Sequence, residues 1–285
     1  MRIRFFIAPS LPKDHVGRLM AESLAATYSD DNGVQIVCSS RSHLSDGHPE
    51  STPHIIHVFG SWDNAAANFL FKARRRDIPC VYSPVGGLIS WNQNQESLQR
   101  RLSFYSRQRR MISQAETVVT FSQIERRSVE KMNKKSNIET LTNPIITNTV
   151  TLSTLSAQML NIYQKAQKSF DEKIRQRINL KINAWKESDG IHMILFQLFY
   201  IRHQLHQGAI PHDSIADLCQ TMMTTDYNED EMNDILQQLK MDKWMSRLEQ
   251  ILSETDGLTE GFMPSPPLND GTTKKNKKIH RALTH

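Results

Sequence analysis

Between residues 2 and 141 the sequence alternates between two kinds of segment, and that alternation constrains the fold more than anything else in the chain. Short, β-branched apolar runs occur at residues 2–8, 34–39, 55–59, 80–83, 117–121 and 138–141. Between them lie stretches with apolar residues at helical spacing: 14–28 behind an Asp14 cap, 63–76, 97–113 and 124–134. Continuous apolar strands separated by amphipathic helices are the pattern of a parallel sheet covered on both faces. The expected fold class is therefore α/β, with a Rossmann-like parallel sheet. Residues 39–53, SSRSHLSDGHPESTP, read as loop.

From about residue 151 the strand-like runs stop. Met159, Tyr163, Ala166, Phe170, Ile174, Ile178, Ile182 and Trp185 step by three or four, so they form one apolar stripe along a long helix that some surface must cover. Further helices are expected at 189–207, 213–224, 228–239 and 241–252. This divides the 285 residues into an α/β domain over 1–150, an all-helical module over 151–262 and a disordered basic tail over 263–285.

Charge is uneven. Residues 1–150 hold 19 Lys and Arg against 13 Asp and Glu, whereas residues 151–285 hold 16 against 17. An anionic partner would approach the first half, where much of the excess lies between Arg100 and Lys135. Cys38, Cys80 and Cys219 are widely spaced and fit a reducing compartment better than a disulfide framework or a zinc site. The apolar run at 191–201 is well short of the ~20 residues a membrane span needs. No H-E-x-x-H, P-loop or G-x-S-x-G motif is present, so neither a metal nor a cofactor is expected. The basic charge lacks the zinc spacing, ribonucleoprotein aromatics or helix-turn-helix pattern that would point to nucleic acid.

In open parallel sheets ligands bind beyond the carboxyl ends of the strands. The residues there are Ala8 to Ser10, Gly60 to Trp62, Pro84 to Gly87, Ser122 to Glu125 and Thr142 to Pro144. Their order and spacing carry a resemblance. HIIHVFGSWDN, PCVYSPVGGLISWN, AETVVTFSQIE and NIETLTNPI resemble successive strand-end motifs of the N-terminal, acceptor-side domain of the family-4 glycosyltransferases, which have the two-domain GT-B architecture. The resemblance covers residues 1–150. It implies a sugar or lipid-linked sugar acceptor in a groove lined by Ser10, His57, Gly60, Ser61, Trp62, Gly86, Gly87, Trp91, Ser122 and Glu125.

Several of these residues have a second reading. His57 inside an apolar strand also fits a hydrogen-bonded core residue, Trp62 and Trp91 also fit core packing, and Gly86 and Gly87 also fit a tight strand-to-helix turn. The sequence departs from the family as well. Val85 stands where many members carry His, the turn after the first strand lacks paired glycines, and residues 151–285 show no nucleotide-sugar domain. Transfer requires charge stabilisation on the departing diphosphate, so if the chain is catalytic the nucleotide sugar is expected from a partner subunit or from an unrecognised site. Arg100, Arg101, Arg107 and Arg110 lie off the apolar stripe of their helix. They fit either an ordinary surface face or docking on an anionic membrane, which would make the protein cytoplasmic and peripheral to the inner face of a membrane. Two functions follow: a glycosyltransferase-related acceptor domain in cell-surface polysaccharide or glycolipid synthesis, or a non-catalytic scaffold holding a partner through its helical half.

Overall fold

All six apolar runs are strands in the computed structural model: β1 (Arg2–Ile7), β2 (Gln35–Ser39), β3 (Ile55–Phe59), β4 (Cys80–Ser83), β5 (Thr117–Thr120) and β6 (Ile138–Thr140). It describes residues 1–28, 35–39, 52–89, 98–147, 149–186, 188–206, 212–274 and 276. The strands form one sheet in the order β2-β1-β3-β4-β5-β6, and every neighbouring pair is parallel. Register follows the side-chain pattern: Phe5 lies opposite His57 and Phe6 opposite Val58.

Because strand side chains alternate between faces, β1, β3, β4 and β5 each feed two cores. Phe6, Ile56, Val58 and Tyr82 pack with α2 (Asn64–Arg75), α3 (Leu98–Gln114) and α4 (Gln123–Met132). Ile3, Phe5, Ile7, Ile55 and Phe59 face the other way, against α1 (Val16–Thr27) and the first part of α5 (Leu152–Ile182). The helix starts are capped by side chains. Asp63 Oδ1 accepts the Ala66 amide at 2.9 Å, and Ser122 Oγ accepts the Glu125 amide at 3.1 Å. At α1 the cap is His15, not the expected Asp14: His15 Nδ1 accepts the Gly17 amide at 3.1 Å, an arrangement that composition does not signal.

Among the described residues, those up to Glu172 form one compact unit and those from Lys173 a second, so the boundary falls inside α5. The stripe that reads as the start of a helical module therefore finds its cover on the sheet. Leu155, Met159, Ile162, Tyr163 and Ala166 are buried against Ile3, Phe5, Phe59 and Val81. Two hydroxyls fix that docking: Tyr28 donates to the Ser156 carbonyl, and Tyr163 lies 2.8 Å from His57 Nδ1.

The second unit contains α6 (Asp189–His206), α7 (His212–Thr224), α8 (Glu229–Gln238) and α9 (Asp242–Thr255). Its core draws on Ile194, Leu198, Leu218, Met222, Leu236, Met245 and Leu252. Residues 263–274, expected as the start of a disordered tail, lie on α9. The Leu268 amide donates to the Ser246 carbonyl at 2.9 Å, the Ser265 amide to Glu249 Oε1 at 3.2 Å, and Arg247 pairs with Asp270 at 2.6 Å. These polar contacts replace the apolar burial whose absence suggested a free tail. No helix among the described residues is long and apolar enough to cross a membrane.

Removing the Tyr163 hydroxyl leaves a buried imidazole nitrogen without its partner, so Tyr163→Phe is expected to cost about 1–3 kcal/mol in urea denaturation; an unchanged midpoint would contradict the docking. Glu249 is fully buried, and burial pushes its carboxyl up to about 8. In the unfolded chain this group ionises near its ordinary value while the folded protein keeps the proton. The native state thus loses stability as pH rises from about 4.5 to about 8. Glu249→Gln removes that loss. The melting temperature of the variant minus that of the wild type should rise across this interval, and a pH-independent difference would count against it.

Candidate functional site

The crossover that carries the chain from β1 out to β2 and back to β3 leaves the carboxyl ends of β1 and β3 side by side at the sheet's switch point. The ladder continues past the strands there: the Ala8 amide donates to the Phe59 carbonyl and the Gly60 amide to the Ser83 carbonyl, each at 2.9 Å. Asp63, the cap of α2, also receives the Ser10 amide on Oδ2 at 3.1 Å, which ties the β1 loop to the start of that helix. Ser10 itself is exposed.

The next two loops lock onto each other. Trp62 Nε1 donates to the Gly87 carbonyl at 2.6 Å, and the Trp62 amide donates to Gln108 Oε1 at 3.2 Å. A β-carbon on Gly87 would stand 1.8 Å from Ser61 Oγ and 3.1 Å from Ser61 Cβ, so any larger residue would force the Ser61 hydroxyl to turn away and the two loops to give slightly. Gly60 has φ +108°, and a β-carbon there would meet Ala8 Cβ at 2.6 Å. Trp62 and Val85 adopt φ of 55° and 48°, left-handed conformations that are costly for bulky and β-branched side chains. Backbone strain is thus held at the ends of β3 and β4, side by side on one rim.

Glu125 joins a third loop to this rim. Its Oε1 accepts the Gly86 amide at 2.5 Å and its Oε2 the Phe121 amide at 3.4 Å. With Ser122 it forms an S-x-x-E capping pair whose carboxylate reaches across to β4 as well as back along its own turn. Burial raises this carboxyl to about 7, against the downward pull of the backbone amides of Gly86, Phe121 and Leu88.

Of the residues expected to line an acceptor groove, Ser10, Gly60, Ser61, Trp62, Gly86, Gly87, Ser122 and Glu125 lie at these strand ends, and hydrogen bonds or close approaches link them. His57 does not face a groove. It is fully buried, with Nε2 2.8 Å from Ser83 Oγ, Nδ1 2.8 Å from the Tyr163 hydroxyl and its ring stacked on Phe59 at 3.8 Å. Burial holds its pKa well below the ordinary histidine value. It points inward because α5 covers this face of the sheet, which the strand pattern alone does not reveal. Trp91 lies outside the described residues, and Arg100 and Arg101 are described only as backbone positions on α3. Arg107 donates to Asn64 Oδ1, and Arg110 lies 4.7 Å from the centre of the Phe71 ring, so both face α2.

Two further residues shape the rim. Gln108 takes the Trp62 amide and donates to the Tyr82 hydroxyl at 2.6 Å; its signal was a polar residue three and four positions before Met111 and Ile112 on the buried stripe. His15 receives the Gly17 amide on Nδ1, which leaves Nε2 to carry the proton as a donor after β1. Chemically the rim offers hydroxyl, imidazole and backbone groups, and its buried carboxyl is engaged by backbone amides. Among the described residues no group of three or more His, Cys, Asp or Glu could hold a metal.

Gly87→Ala should cost about 1–3 kcal/mol by overpacking, and adding Ser61→Ala should recover part of that loss as a favourable coupling energy in urea denaturation. Strict additivity would mean that the two loops do not touch. Compared with known protein families, with curated proteins and with solved structures, the chain matches none of them.

Proposed function

We propose that this chain is a glycosyltransferase-related acceptor-binding protein of cell-surface polysaccharide or glycolipid synthesis, working with another chain that brings the nucleotide sugar. The observation that carries this reading is the linked rim at the switch point, where Ser10, Ser61, Trp62, Gly87 and Glu125 come from four separate strand ends onto one edge. Positions that resemble the acceptor side of the family-4 enzymes thus sit where open α/β sheets receive ligands. The Ser10 hydroxyl and the half-buried Ser61 suit the hydroxyls of a sugar.

The reading favours binding over self-sufficient transfer. A general base must reach the hydroxyl it activates. His57 is enclosed between Ser83 and Tyr163, and Glu125 accepts backbone amides on both oxygens. Charge stabilisation for a departing diphosphate would come from the partner. Action at the inner face of a membrane, on a lipid-linked acceptor, belongs to the same proposal.

Isothermal titration of the full chain against a panel of nucleotide sugars, paired with saturation-transfer NMR against neutral and lipid-linked oligosaccharides, tests it. The expected result is saturation transfer to oligosaccharide that Ser10→Trp abolishes, with no heat from the nucleotide sugars. Micromolar nucleotide-sugar binding by the chain alone, or silence toward every oligosaccharide, would overturn it.

A further inference from the structure

On the opposite side of the sheet from α5, the two neighbouring helices α2 and α3 carry Lys72, Arg74, Arg75, Arg100, Arg101, Arg107, Arg109 and Arg110 and no carboxylate at all. A groove of about 410 Å³ runs between them, lined by Asn68, Phe71, Arg74, Arg75, Arg110 and Gln114. Three guanidiniums therefore enter one concavity from two elements. Cations in the last turn of α2 suit its helix dipole. That accounts for Arg74 and Arg75 but not for Arg110, which comes from the neighbouring helix.

The guanidiniums are held differently. Arg74 is fixed, with Nη1 2.9 Å from the buried Glu116 carboxylate and its guanidinium 4.7 Å from the centre of the Phe170 ring. Arg110 rests over Phe71 at 4.7 Å. Arg75 is exposed and makes no hydrogen bond or ion pair among the described residues. With Glu116 balancing one cation, the groove keeps two positive charges, and Asn68 and Gln114 can add amide N–H donors. Arginine forks held by aromatic rings match phosphoryl oxygens, which accept two parallel N–H bonds.

We infer that the α2–α3 groove binds a phosphoryl group, from a free phosphate ester or from a phospholipid headgroup, through Arg75 and Arg110 beside the fixed Arg74. This site stands independently of the sugar-binding reading, which uses the strand-end rim.

The test is calorimetric titration of the full chain with inorganic pyrophosphate at low salt, alongside co-sedimentation with vesicles of phosphatidic acid or of phosphatidylcholine. Arg75→Gln is the principal variant, since that side chain supports nothing else; Arg75→Gln with Arg110→Gln deepens the loss, and Arg109→Gln, exposed on α3 but outside the groove, is the control. Saturable pyrophosphate binding that weakens roughly tenfold or more in the groove variants and holds in Arg109→Gln supports the site with a free phosphoryl compound as ligand. Binding to phosphatidic acid vesicles alone, with the same variant pattern, supports it with the headgroup as the source. No binding to either probe, or equal losses in Arg75→Gln and Arg109→Gln, overturns it.

Discussion

A buried imidazole organises one face of the α/β unit. His57 sits in the middle of β3, where an apolar side chain would be the ordinary choice, and a fully buried polar ring must have both nitrogens satisfied. Ser83 of β4 and Tyr163 of α5 do so at 2.8 Å each, and Phe5 and Phe59 pack around the ring. Hydroxyls can donate or accept, so either neutral tautomer is accommodated, while complete burial disfavours the charged ring. The consequence is positional. The sheet needs the Tyr163 hydroxyl at one place, and that fixes the rotation and height of α5 on the strands. Leu155, Met159, Ile162 and Ala166 then fall on the apolar surface, and the Tyr28 bond to Ser156 holds the first turn.

The rim inherits its rigidity from the strands beneath it. Trp62, Ser61 and Gly87 close one loop against another, Glu125 clamps a third, and Asp63 ties in the loop after β1. Left-handed Trp62 and Val85 persist because these contacts over-determine their backbone. Burial raises the Glu125 carboxyl on this rim to about 7, against the pull of the backbone amides it accepts.

Much of this architecture was legible in the sequence, for a physical reason: strands buried on both faces must be continuously apolar, and helices that cover them must carry a stripe. The strand positions and the parallel sheet follow from that. What sequence could not supply was the identity of covering surfaces. A stripe on α5 declares that it needs a partner without saying which, so its first part reads as a separate module although it packs on β1 and β3. The direction of His57 depended on the same missing fact. The segment after residue 262 reads as too polar to pack, yet Ser265, Leu268 and Asp270 are held by backbone and charged hydrogen bonds that leave no hydrophobic signature. Site positions were legible as strand ends, but their inward commitments were not, because close approaches such as Ser61 on Gly87 exist only once two loops meet.

The central claim, that His57 is a sealed structural element organising the docking of α5, can be read directly from its ring nitrogens. Nitrogen-detected NMR of the histidine rings from about pH 8 down to about pH 5 should show His57 as a neutral imidazole throughout, with a slowly exchanging ring proton. A His57 signal that titrates near the ordinary value of about 6.5 would place the ring in contact with solvent and contradict the account.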